Sequence, residues 1–499
     1  MVGQRLRVPT LLLMAATLAG FHLSHKPLWN DEAFSYFVAR HGPAATLRFI
    51  AQDTQPPLFY LILSEWLRMG RSALVMRSLS AAALTLATLP VYGAARRLFG
   101  AREAIIAGVF FSATPLVVNW AQKARPYALQ VLLLAVAYWG FVEVWRSAEA
   151  RERWIGTGPG RVNLGWAALT LGGASAMLTQ QPAGFFLLGL NAAALLEILC
   201  LGNRCLRFLV NWTLSQLLLI LIWAMWLPWF LRQIAINLTP AEIALRHTNF
   251  LIGDRDVLGY LQGLLGIASL WRAAPLFLLV QLTGATIGAA MLFRRRQAAP
   301  VLIPLLAPPL VAIAGFLLIH PIFGYVIGEF VFLWIPYAIL LGYAVARAPW
   351  RPVGVTLAAL IFLGDAWGLH NYYATPNLPT AAVADVIGAG MKPGDGVILA
   401  QNVAFRWALA YYLGPVRRKE LVGLNVSAEW DYDRLIRSTA AALRQRRDWV
   451  ILPGDGQPPA VSLAALTRRM RTERVVHIAG SEVRLLVARS GGRPASLKR

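Results

Sequence analysis

Two short stretches early in the chain hold the residue types that acid–base chemistry on a phosphate-linked substrate would use: Leu28-Trp29-Asn30-Asp31-Glu32-Ala33-Phe34-Ser35 and Asp53-Thr54-Gln55-Pro56-Pro57-Leu58-Phe59-Tyr60. Both follow the first hydrophobic run, so three carboxylates fall where a membrane helix would meet water. A charge at the centre of a bilayer helix costs about 2.5–3.5 kcal/mol on insertion scales, whereas an interfacial carboxylate stays hydrated. Acids held at that boundary point to work done there. The same ends of later apolar runs gather Arg77, Lys123, Arg125, Tyr127, Gln180, Gln181, His320, Tyr325, Glu329, Asp365 and His370. With both charge signs present, a carboxylate can accept a hydroxyl proton while Arg and Lys neutralise a departing phosphate.

Each of these residues also has a structural explanation. Asp31 and Glu32 suit the first turn of an interfacial helix, with Asn30 as its cap. Asp53 and Gln55 precede Pro56, which biases Gln55 to extended geometry in a turn. Arg77 can snorkel to headgroups, Lys123 and Arg125 can contact them, and Glu329 can open a helix. Residue type alone leaves both readings standing.

The elements that must position these residues are membrane helices. A chain of 499 residues that is 57% hydrophobic and 14% charged is too apolar for an ordinary soluble protein. The net charge of +23 does not indicate nucleic acid, because the arginines sit at the ends of apolar runs and form no single basic face. Cys200 and Cys205 are too few for a disulfide framework, and no third ligand completes a zinc site. Gly156 to Gly160 lacks the Gly-Lys-Ser/Thr of a nucleotide loop.

Runs near 8–24, 74–95, 103–121, 127–145, 164–179, 183–201, 209–230, 274–293, 299–319, 330–346 and 352–370 predict about eleven transmembrane helices. The first is expected to be an uncleaved helix, since no small-residue cleavage pattern follows it. Arg96/Arg97/Arg102, Arg146/Arg151/Arg153/Arg161, Arg204/Arg207, Arg294/Arg295/Arg296 and Arg347/Arg351 fall on one side with Arg5 and Arg7. By the positive-inside rule that side is cytoplasmic, so the carboxylate loop and the tail are extracytoplasmic. The break at Gln180-Gln181-Pro182 leaves open one kinked helix or two, and 256–272 reads as interfacial. A transmembrane domain over 1–373 is expected to carry the long first outer loop, 25–72, in which Pro57 to Met69 lies in the interface. A second outer loop, about 231–272, could cover the site. Residues 374–499 read as a small α/β domain. In it Val397 to Leu399, Trp449 to Leu452 and Val483 to Ala488 are strands, and Asp431 to Arg447 and Ser462 to Arg471 have helical spacing.

The pattern Trp29-x-Asp31-Glu32-Ala33-x-Ser35, with Asp53-x-Gln55-Pro56-Pro57-Leu58-x-Tyr60, Gln122-Lys123-Ala124-Arg125-x-Tyr127 and Arg96-Arg97-Leu98-Phe99-Gly100, resembles the bacterial branch of the protein O-mannosyltransferase and aminoarabinose-transferase family. These are GT-C membrane glycosyltransferases of family 39, which move a sugar from a polyprenyl-phosphate donor to an acceptor hydroxyl. The resemblance implies Asp31 as general base, Glu32 as its support, and a donor pocket shaped by Asp53 and Gln55. It also implies Arg77 and Arg125 as candidates for the lipid phosphate, with Lys123, Tyr127 and Glu329 nearby. The family usually has His at Gln55 and an acid at Lys123, which weighs against a divalent metal there and leaves no cofactor assigned. The implied partners are a polyprenyl-phosphate sugar, membrane lipids and a lipid, glycan or protein acceptor, in the plasma membrane of a bacterium. A flippase for polyprenyl-linked glycans would more often show inverted repeats, and a non-catalytic relative remains the other alternative.

Overall fold

The computed structural model describes residues 7–53, 55–151, 159–201, 206–237, 274–319, 327–375, 379–399, 406–422, 442, 445–453, 470–478 and 481–488. They form two compact units: Met1–Leu23 with Thr54–Thr375, and Ser24–Asp53 with Pro376–Arg499. The segment Ser24–Asp53, expected with the transmembrane domain, therefore clusters with the tail.

The first unit is helical. It contains α1 (Arg7–Gly20), then α4 (Leu58–Trp66), α5 (Ala73–Leu98), α6 (Ala101–Ala113), α7 (Pro115–Ala121) and α8 (Tyr127–Arg151). There follow α9 (Pro159–Met177), α10 (Ala183–Leu201), α11 (Leu206–Ala224), α12 (Leu227–Asn237), α13 (Ala274–Phe293), α14 (Ala298–Ile319), α15 (Trp334–Arg347) and α16 (Arg351–Ala374). Among the described residues seven helices are long and apolar enough to cross a membrane, or eight if α6 and α7 count as one span bent by 60°. The sequence-based count of about eleven also took in shorter apolar helices such as the 14-residue α1. The bend falls at Thr114, whose extended backbone precedes Pro115 at the first position of α7. The Gln180-Gln181-Pro182 break separates two helices, α9 and α10. At nine residues, α4 is too short to cross, as expected for an interfacial segment. The stretch 256–272 and all of 231–272 beyond Asn237 lie outside the described residues.

Small residues bring α8 and α9 close. A Cβ on Gly140 would stand 2.5 Å from the Gly165 carbonyl oxygen, and one on Gly172 would stand 2.8 Å from the Leu133 carbonyl oxygen. Glycine at such seams lets backbones approach where lipid provides no hydrophobic drive. Position in the bundle follows from burial: 94% of the span at α15 is buried, against 22% at α11. The arginine-bearing ends are tied by carboxylates that are themselves buried. Arg97 pairs with Glu143 at 3.1 Å, Arg296 with Glu197 at 2.6 Å and Arg347 with Glu103 at 2.6 Å.

The second unit begins with α2 (Asn30–Ala39) and α3 (Pro43–Ile50) and continues with α17 (Thr380–Gly390) and α18 (Arg406–Glu420). Its sheet comprises β1 (Gly396–Leu399), β2 (Arg447–Pro453), β3 (Met470–Ile478) and β4 (Ser481–Ala488) in the order β1-β2-β4-β3. β1 pairs parallel to β2, and the other pairings are antiparallel, with Trp449 opposite Leu485. Ile398, Val450, Leu452, Met470 and Leu486 form its core. The three expected strands are present. β3 takes Met470 and Arg471 from the end of the expected helix over 462–471, and the rest of that segment lies outside the described residues, as does most of 431–447.

Candidate active site

The acidic motif opens α2. Trp29 is extended, and its N–H donates to Glu32 Oε2 at 2.9 Å, so the fully buried Glu32 satisfies the helix start. Glu32 thereby fixes the first turn, and Asp31, beside it, is only partly buried. Ser35 Oγ donates to the Asp31 carbonyl at 3.0 Å, and Asn30 is buried. Asp53, also buried, follows α3 in a turn where its N–H donates to the Ile50 carbonyl at 3.1 Å. Asp31, Glu32 and Asp53 thus belong to the second unit.

The basic and amide candidates belong to the first unit. The turn between α7 and α8 is tight, with Arg125 N–H donating to the Lys123 carbonyl at 2.8 Å. It presents the Lys123 ammonium 4.7 Å from the Trp120 ring, which packs 4.2 Å from the Tyr127 ring. Arg125 is buried, reaches Tyr60 Oη on α4 at 3.4 Å and lies 5.9 Å from the Tyr127 ring. Lys123, Arg125, Tyr127 and Tyr60 are therefore one cationic and aromatic cluster. Arg77 lies one turn into α5, buried, with Nη1 donating to the Leu23 carbonyl at 3.0 Å.

Gln55 sits in a separate amide junction. Leu58 N–H donates to the Leu178 carbonyl at 2.9 Å, which docks the Pro56-Pro57 turn on the α9–α10 break. Gln233 of α12 donates to the Gln55 carbonyl at 3.2 Å and accepts from Gln181 Nε2 at 3.2 Å. Within the described residues Gln55 Oε1 and Gln180 Nε2 are buried without hydrogen-bond partners. Gln233 escaped sequence reasoning, because an amide on a short amphipathic helix carries no local signal. Gln122, beside Lys123, has a structural role: its Nε2 donates to the Phe21 carbonyl at 2.7 Å and to Tyr373 Oη at 2.9 Å, joining α7 to the ends of α1 and α16. Asp365 is buried in α16 with neither oxygen hydrogen-bonded among the described residues. Glu329 lies in a 3-10 helix, Ile327–Leu333, and its side chain is outside the described set, as are His320, Tyr325 and His247.

A cation at Lys123 and a neutral amide at Gln55 make a poor donor set for a divalent metal.

Residues 54–229 match the family model described as dolichyl-phosphate-mannose-protein mannosyltransferase. No curated protein matches the sequence. Among solved structures, ArnT of Cupriavidus metallidurans, apo and bound to undecaprenyl phosphate, aligns with a TM-score of 0.60 at 15% identity, covering 97% of this chain and 98% of that one. The archaeal oligosaccharyltransferase AglB of Archaeoglobus fulgidus, in complex with an inhibitory peptide and a dolichol-phosphate, aligns with a TM-score of 0.53 at 12% identity, covering 96% and 74%. The chain has the fold of these membrane enzymes, the GT-C architecture expected from its motifs, with a four-stranded sheet in its C-terminal part.

Proposed function

We propose that this chain is a GT-C membrane glycosyltransferase that moves a sugar from a polyprenyl phosphate to an acceptor hydroxyl, with inversion at the anomeric carbon. The observation that carries this reading is the full-length likeness of fold to ArnT. The match of residues 54–229 to a family of lipid-phosphate-dependent transferases supports it. Asp31 accepts the proton of the acceptor hydroxyl, the freed oxygen bonds to the anomeric carbon, and the bond from that carbon to the phosphate oxygen breaks. Lys123, Arg125 and Arg77 neutralise the departing lipid phosphate. Gln55 and Asp53 shape the donor pocket, Tyr127 packs beside the phosphate groups, and Glu329 borders the site. Glu32 holds the helix turn that presents Asp31. The arginine bias of the loops supports a plasma-membrane protein whose site and tail face away from the cytoplasm.

Mass spectrometry of envelope glycans from cells with and without the chain would name sugar and acceptor. Asp31→Asn removes the proton acceptor while keeping shape, so it should accumulate in the membrane normally and lose at least 100-fold in transfer, on the order of a general-base contribution. Undiminished transfer by that variant would remove Asp31 from the mechanism.

A further inference from the structure

α2 is ten residues long and rich in residues that do not favour helix, including Asn30, Asp31, Phe34, Ser35, Tyr36 and Val38. A helix of that length has marginal stability alone in water, so its geometry must be set by what packs on it. What packs on it is α18, near the other end of the chain. The Asn30 side chain accepts the Trp407 backbone N–H at 2.9 Å across 377 residues of sequence. That N–H belongs to the first turn of α18 and lacks an acceptor within its own helix, so Asn30 caps α18 from outside while Glu32 closes the start of α2. Two residues before Asn30, the Leu28 N–H donates to Tyr412 Oη at 2.7 Å. The Trp407 ring lies 5.4 Å from Phe34 and 5.5 Å from Phe37, and Tyr411 meets Tyr36 edge-on at 5.1 Å. Trp407, Tyr411 and Tyr412 follow helical spacing, and they come before the break at Gly414 (φ 72°) and Pro415 that ends this regular stretch.

We propose that α18 is a positioning element for the reaction, with Trp407 and Tyr412 as positioning residues that fix the turn carrying Asp31. The inference rests on the reading of Asp31 as general base. Neither residue donates or accepts a proton in the reaction. Tyr412 holds the Leu28 backbone before Trp29, and Trp407 holds the Asn30 side chain and the Phe34 and Phe37 rings after it, so that the Asp31 carboxylate keeps one orientation; a misplacement of about 1 Å at such a group costs roughly 100-fold in rate.

The test uses the full-length chain in cells and purified in detergent, with Asp31→Asn, Trp407→Ala, Trp407→Phe and Tyr412→Phe compared with the parent. Expected for Trp407→Ala is at least a tenfold fall in glycan product at unchanged membrane level and unchanged affinity for undecaprenyl phosphate. Faster deuterium uptake over residues 28–39 should accompany it, with recovery to within about threefold in Trp407→Phe, which restores the aromatic packing. Tyr412→Phe removes one hydroxyl and should fall about threefold with the same local uptake change. It carries the test if Trp407→Ala does not accumulate. Full product from both variants, or loss of product together with undecaprenyl phosphate binding, overturns the proposal. If Asp31→Asn itself retains full product, the general-base reading fails. If Asp31→Asn is inactive while both α18 variants are fully active, only the positioning role fails.

Discussion

At the scale of single residues, the site candidates differ in what their side chains hold. Glu32 closes the start of its own helix, with a carboxylate oxygen accepting from the Trp29 N–H. Arg125 is a buried guanidinium that reaches across to the Tyr60 hydroxyl on α4 at 3.4 Å, beside Lys123 and Tyr127. Arg125→Gln should weaken binding of undecaprenyl phosphate to the purified chain by about 10–100-fold, the range expected for a lost charge-assisted hydrogen bond. Arg125→Lys should fall between, keeping the charge and losing the planar fork. Equal affinity in all three would take Arg125 out of the phosphate site. The residue types at Asp31, Asp53, Lys123 and Arg125 were legible in the sequence because charge beside an apolar run is conspicuous. Gln233 and Tyr412 were not, since a neutral donor or acceptor signals nothing until its partner is known.

At the scale of elements, hydropathy found the membrane helices but not how they break. The run over 103–121 reads as one span, yet Thr114-Pro115 splits it with a 60° bend, and only the proline was visible beforehand. The α8–α9 seam was likewise hidden, because glycines inside apolar runs read as neutral filler. Gly140→Ala should destabilise the purified chain by about 1–3 kcal/mol, since its methyl would meet backbone atoms of α9 that cannot move independently. Gly20→Ala in α1, where nothing lies within 4 Å of the added methyl, should leave the melting temperature unchanged or slightly raised. Equal melting temperatures for the two variants in the same detergent would show that the seam is not tight.

At the scale of the whole molecule, the packing of Ser24–Asp53 with the tail was not legible beforehand, because hydrophobic periodicity records which face is buried and not what buries it. The tail has a pH sensitivity of its own. Asp448 on β2 is fully buried, and burial, then the neighbouring Asp395, raises its pKa from 3.8 to about 7. The native state thus holds a proton that the unfolded chain gives up near pH 4, so this residue's contribution to stability falls as pH rises from about 4 to about 7 and is level above that. Protection factors of β2 and β4 amides, corrected for the pH dependence of intrinsic exchange, should fall across that window in the parent and stay flat in Asp448→Asn, and a flat parent profile would refute the assignment. The long-range pairings of Leu28 and Asn30 also bear on biogenesis. Their partners are encoded 384 and 377 residues downstream. At translation rates of roughly 5–20 residues per second, a nascent chain carries its first loop unbraced for about 20–80 s while the remaining spans insert. The turn that carries Asp31 therefore gains these two hydrogen bonds only after residue 412 has been made.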